Sequence, residues 1–171
     1  MIHLTRRHLL ASTPLAGAAI LAACTATTNP VAVTSTVAQD ADLIAGGLAS
    51  AIATLQATPG VLTTAQQATL TQLQGYLATI KADAATIAAA TATPATSVVS
   101  EIVQLVQTIA PIALSFVPGG GAIVAIVNAA LSLAPQLLTD IGVTGATATS
   151  GAPPVYSVAS ARQILRSATA K

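Results

Sequence analysis

TTAQQATLTQLQGYLATIKADAATI, residues 63–87, reads as helix on two independent grounds. Leu70, Leu73, Leu77, Ile80, Ala84 and Ile87 alternate spacings of three and four, which lays one apolar line down a single helix face, as in a coiled-coil seam. Thr63 with Gln66, and Thr64 with Gln67, are each candidate capping boxes that would satisfy orphan amides of the first turn. Gln72, Gln74, Lys81 and Asp83 fall on the other face. The seam therefore needs a cover: another helix, a protein partner, or a second copy meeting Leu70, Leu73, Leu77 and Ile80.

Upstream, Leu43, Ile44, Leu48, Ala51, Ile52 and Leu55 recur with the same period, between the acids Asp40 and Asp42 and the Pro59-Gly60 stop. That predicts a helix beginning near Asp40 with acids in its first turn, where the helix dipole favours them. Beyond Pro94, Val98, Val99, Ile102, Leu105, Val106, Ile109, Ile112 and Phe116 predict a third helix from Ser97, and after a Pro-Gly-Gly-Gly turn a fourth runs from about Ala122 to Ile141. Pro111 and Pro135 lie inside these two, and each should kink or split its helix by removing a hydrogen bond. A last short helix is predicted from Ser157, with Val158, Ala161, Ile164 and Leu165 on one side. The expected class is all-α: an Ala/Leu-rich bundle of about four helices over residues 39–141, a linker over 142–156, and a basic C-terminal helix over 157–171.

Composition narrows the function. Of 171 residues, 53% are hydrophobic, 6% charged and 2% aromatic, and mean hydropathy is +0.76. Ordinary disorder is excluded, and an association with a membrane is favoured. A formal net charge of +1 and three aromatics, Tyr76, Phe116 and Tyr156, leave neither the basic face nor the stacking platform that nucleic acid requires.

The membrane association has an address. Residues 1–24, MIHLTRRHLLASTPLAGAAILAAC, are a short positive stretch, an apolar run and small residues ending at the only cysteine, which is the pattern of a secretory signal over 1–23. Thr5-Arg6-Arg7-His8-Leu9-Leu10 resembles the bacterial twin-arginine export signal, with Leu9 and Leu10 where that family usually has Phe and Lys. Leu21-Ala22-Ala23-Cys24 resembles the lipobox of bacterial lipoproteins. The resemblance covers the signal alone. It implies export through Arg6 and Arg7, lipidation of the Cys24 thiol with acyl chains such as palmitate, cleavage just before it, and a mature chain hanging from a membrane. Residues 24–38, rich in Thr, Ala and Val, then read as the lipidated cysteine followed by a flexible leash.

Such processing removes His3 and His8 and leaves Lys81, Arg162, Arg166 and Lys171 against five acids. Without histidine, tryptophan or a free thiol, the usual general bases, nucleophile partners and nitrogen or sulfur metal ligands are missing. The one close carboxylate pair, Asp40-Ala41-Asp42, lacks the further oxygen ligands of a calcium loop. Gly119-Gly120-Gly121 lacks the Lys-Ser/Thr of a phosphate loop. The expectation is a non-catalytic protein with no metal and no cofactor.

Two questions remain open in the sequence. The third and fourth helices are apolar enough to enter a bilayer as a hairpin over residues 98–141, but each carries a polar stripe: Ser100/Glu101, Gln104, Gln107/Thr108 and Ser115 on one, Asn128, Ser132, Gln136 and Thr139/Asp140 on the other. These stripes favour bundle helices with a wet edge. The tail gathers Arg162, Arg166 and Lys171 into the last ten residues, for docking on the bundle or for attraction to an anionic surface such as lipid headgroups or cell wall. In layout the chain resembles the wall-bound lipoprotein of diderm bacteria, lipid-anchored at one end and joined to peptidoglycan through its C-terminal lysine, which makes Lys171 a candidate wall attachment. The function expected is a membrane-anchored envelope lipoprotein with a structural or interaction role. Its place is the outer side of the cytoplasmic membrane or the outer membrane facing the periplasm; the alternative is a membrane-active hairpin.

Overall fold

The computed structural model describes residues 30–58, 62–117, 121–143 and 155–170. These form five helices: α1 (Pro30–Gln56), α2 (Thr64–Ala89), α3 (Thr96–Ser115), α4 (Ala122–Asp140) and α5 (Val158–Thr169). The all-α bundle expected from the periodicity is what the chain forms. Short connections make α1 to α4 run alternately up and down, each packed on its neighbours around one core, with α4 returning to α1. The fifth helix lies over the groove between α1 and α4. It runs parallel to α1, since Arg162 meets Asp40 while Leu165 and Thr169 meet Gly47 and Gly46.

Local signals explain the ends. Thr63, not Thr64, caps α2: its hydroxyl accepts from the Gln66 amide at 3.3 Å and the Gln66 side chain accepts from the Thr63 amide at 2.8 Å. At the close of α4, Gly142 takes φ +85°, the Val143 amide reaches the Leu138 carbonyl and the Gly142 amide that of Thr139. This is a Schellman stop, and only glycine adopts that φ without strain. The helices α3 and α4 continue past Pro111 and Pro135, so of the two outcomes expected, a kink or a split, neither proline splits its helix.

The largest departure is at the start of α1. Residues 30–38, read as leash, are helical from Pro30, a residue well suited to a first turn. Thr34, Val37 and Ala38 continue the buried line of Ala41, Ile44, Ala45 and Leu48 at helical spacing. The Thr34 hydroxyl is satisfied by donating to the Val31 carbonyl, so a polar residue can occupy an apolar position without an orphaned donor. Burial of that face outweighs the few tenths of a kcal/mol per residue by which Val and Thr disfavour helix. Asp40 consequently sits in mid-helix, not in the first turn.

The helices α3 and α4 have mean hydropathies of 1.5 and 1.8 and enough length to cross a bilayer. Their fully buried residues, among them Ile102, Val106, Ile109, Val127, Leu133 and Leu137, belong to the shared core. Among the described residues, the only large hydrophobic side chains that count as exposed are Val31 and Val155.

Candidate functional site at the α1–α5 junction

Arg6, Arg7, Leu21, Ala22, Ala23, Cys24 and Lys171 lie outside the described residues. The seam lies within them: Leu70, Leu73, Leu77 and Ile80 are all buried, chiefly against α1. The cover that the seam requires is thus supplied by the chain's own helix, and these four side chains offer nothing to a partner in this fold.

The carboxylate pair separates into two environments. Asp40, 2% exposed, points to α5 and accepts from Arg162 twice, Nε to Oδ1 at 2.8 Å and Nη2 to Oδ2 at 2.6 Å. Such a fork-to-fork pair is directional as well as strong, because the planar guanidinium matches both carboxylate oxygens at once. The Arg162 pKa is raised by the hydrogen bond to Asp40, against the opposing effect of burial, with the charges of Asp40 and Asp140 adding to the rise. Asp140, at the end of α4, accepts from Gln136 through Oδ1 at 2.6 Å, while its Oδ2 is buried without a hydrogen-bond partner.

Around this pair the three helices fit closely. A Cβ built on Gly47 would lie 2.5 Å from Leu165 Cδ2, and one on Gly46 would lie 2.7 Å from Thr169 Cγ2. Glycine in a helix interior costs about 1 kcal/mol relative to alanine, and here it lets α5 approach the α1 backbone. Ala161, Leu165 and Ala168 fill the seat. The α4 stripe also changes character: Ser132 is buried, donates to the Asn128 carbonyl and accepts from the Tyr156 amide at 3.3 Å. At Ser132 the α4 line is thus covered by the residues that lead into α5, while Asn128, Gln136 and Asp140 stay part-exposed and Thr139 exposed. The α3 stripe keeps its wet edge, with Glu101, Gln104, Thr108 and Ser115 exposed.

Asp42 is exposed and borders a shallow open groove of about 370 Å³ with Gly46, Ser50, Lys81 and Thr169. Its polar groups are one acid, one amine and two hydroxyls. Among the described residues no three of His, Cys, Asp and Glu gather closely enough to hold a metal ion.

The two arginines of α5 are placed differently. Arg162 is committed to Asp40, and Arg166, in the last turn of α5, is the exposed cation of that helix. The partnership of Asp40 with Arg162 spans 122 residues and carries no local signature. One sign was present: Asp40 stands three after Val37 and four before Ile44, on the core-facing line. No family model, curated protein or solved structure matches the chain.

Proposed function

We propose that this chain is a non-catalytic, lipid-anchored protein of the bacterial envelope, exported through Arg6 and Arg7, lipidated on Cys24, and holding a five-helix bundle outside the cytoplasmic membrane for a structural or interaction role. The observation that carries this reading is a division of labour. The large apolar side chains of the described residues pack, fully or in part, against one shared core, with only Val31 and Val155 exposed, at 59% and 64%, so the fold commits most of them to the bundle instead of to a membrane. The LAAC sequence shortly before Pro30 offers the attachment that the bundle lacks.

The membrane-active alternative draws on the length and hydropathy of α3 and α4. It would require these helices to leave a core they share with α1, α2 and α5, and to carry Glu101, Gln104 and Asp140 into lipid. The anchored bundle requires no such rearrangement. Arg166 and Lys171 remain candidates for contact with an anionic surface, and Lys171 for attachment to the wall.

Processing tests the anchor. Cys24→Ala should accumulate as uncut precursor, because the lipoprotein peptidase acts after the thiol is lipidated. A normally cut, membrane-bound Cys24→Ala protein would refute the lipoprotein reading.

A further inference from the structure

We propose that the loop joining α2 to α3 is a site of covalent sugar attachment, at the hydroxyls of Thr91, Thr93 and Thr96. Most other threonines of the described residues are committed to their own helices, Thr64 at the start of α2 being an exception. Thr54, Thr69, Thr71, Thr79, Thr86 and Thr108 each donate to the carbonyl four residues earlier, which fixes the rotamer and occupies the proton. Thr91 and Thr93 lie in the connection after α2 ends at Ala89, and Thr96 is the first residue of α3; their hydroxyls make no hydrogen bond among the described residues, and all three are exposed. Pro94 between them is buried and pins the loop to the bundle.

Backbone shape adds to this. Ala90 and Ala95, at the two ends of the loop, are extended at φ −73°, ψ 138° and φ −62°, ψ 132°. The connection over residues 91–95, which bends at Thr91 and Ala92 and holds no regular helix, is a shape that a transferase cleft can take where a helix is not, and Ser/Thr-rich segments with proline are the compositions that carry O-linked sugars. The rest of the surface gives such a modification a purpose. Among the described residues only Asp42, Lys81, Glu101 and Arg166 are both charged and exposed, far below the quarter to a third of charged residues typical of a soluble surface. Sugar hydroxyls would supply hydration that charge does not.

The chemistry is a glycosyl transfer from a polyprenyl-phosphate-linked sugar. Threonine Oγ1 attacks the anomeric carbon, the new carbon–oxygen bond forms as the bond from that carbon to the phosphate oxygen breaks, and polyprenyl phosphate departs. The hydroxyl proton passes to a base on the transferase. Because such donors serve the outer face of the membrane, the inference rests on the export proposed above.

Peptide mass spectrometry of the protein purified from its own host separates the two proposals. Cleavage after Lys81 and Glu101 isolates residues 82–101, which hold the loop, while the N-terminal peptide reports the acyl chains. The expected result is one or more sugar increments on peptide 82–101, localised by fragmentation to Thr91, Thr93 or Thr96. They should be lost when Thr91→Ala, Thr93→Ala and Thr96→Ala are combined, with thermal unfolding unchanged. An unmodified or phosphorylated peptide 82–101 from a protein with a lipidated N-terminal peptide would overturn the sugar site and leave the anchor standing. Sugar confined to Thr86 would also overturn it, whereas a sugar-bearing loop on a chain without acyl groups would retain the site and remove the anchor.

Discussion

Replacing Arg162 by methionine keeps most of the side-chain stem over α1 and removes the fork that holds Asp40. Asp40 is 2% exposed, so its carboxylate would be left in a nearly dry site with two acceptor oxygens unmatched. Breaking a buried pair from one side costs about 3–5 kcal/mol. The Arg162 side chain keeps 29% exposure, so water can enter along its path, and the expected cost is about 2–3 kcal/mol. Against this, Leu165 contributes about 2 kcal/mol and Ala161 and Ala168 rather less each, before the cost of ordering α5. The pair therefore decides whether α5 stays docked, and its loss should lower the docking equilibrium constant roughly thirty- to a hundred-and-sixtyfold.

Hydrogen exchange resolves this directly. In Arg162→Met the α5 amides should lose protection while those of α2 and α3 retain it. Changing Asp40→Leu together with Arg162→Met removes both charges and should recover much of the loss, since an apolar pair leaves nothing unmatched. Arg162→Lys should fall between, keeping the charge without the fork. The pKa of Arg162 is raised on folding, so its contribution is complete below the ordinary guanidinium range and fades only as pH climbs through the raised value. Docking should thus not respond to Arg162 between about pH 6 and about pH 9. Unchanged α5 protection in Arg162→Met, or a double variant as damaged as the two single changes summed, would refute this account of the junction.

Leu73→Asp and Leu77→Asp should each lower stability by several kcal/mol in thermal unfolding, since both positions are at most 3% exposed. Gly47→Ala gains about 1 kcal/mol of helix propensity but sets a methyl 2.5 Å from Leu165, and should reduce α5 protection in hydrogen exchange; increased protection would show that Leu165 yields easily. Thr63→Ala should cost about 1 kcal/mol through loss of the α2 cap, read as a lower midpoint in denaturant with an unchanged slope.

What could be read from the sequence was local. The seam of α2 and a capping box at its start state themselves within a few residues, and the folded chain uses both, with Thr63 as the cap. The first turns of α1 were obscured because their buried line passes through Thr34, a residue whose hydroxyl becomes acceptable inside only after it donates to Val31. The role of α5 was obscured for a different reason. Charge counting sets Arg162 beside Arg166 and Lys171, whereas folding sets it against an acid 122 residues away. Gly46-Gly47 likewise looks like a weak point in a helix until a second helix arrives to use the space.

The central claim is that this bundle is held to a membrane by lipid on Cys24, not by insertion of α3 and α4. Its most direct test is fractionation, without detergent, of a Cys24→Ala chain lacking residues 1–23. The account predicts a soluble, helical protein that stays in the supernatant when membranes are pelleted. Quantitative recovery in the pellet, released only by detergent, would contradict it and assign the membrane to α3 and α4.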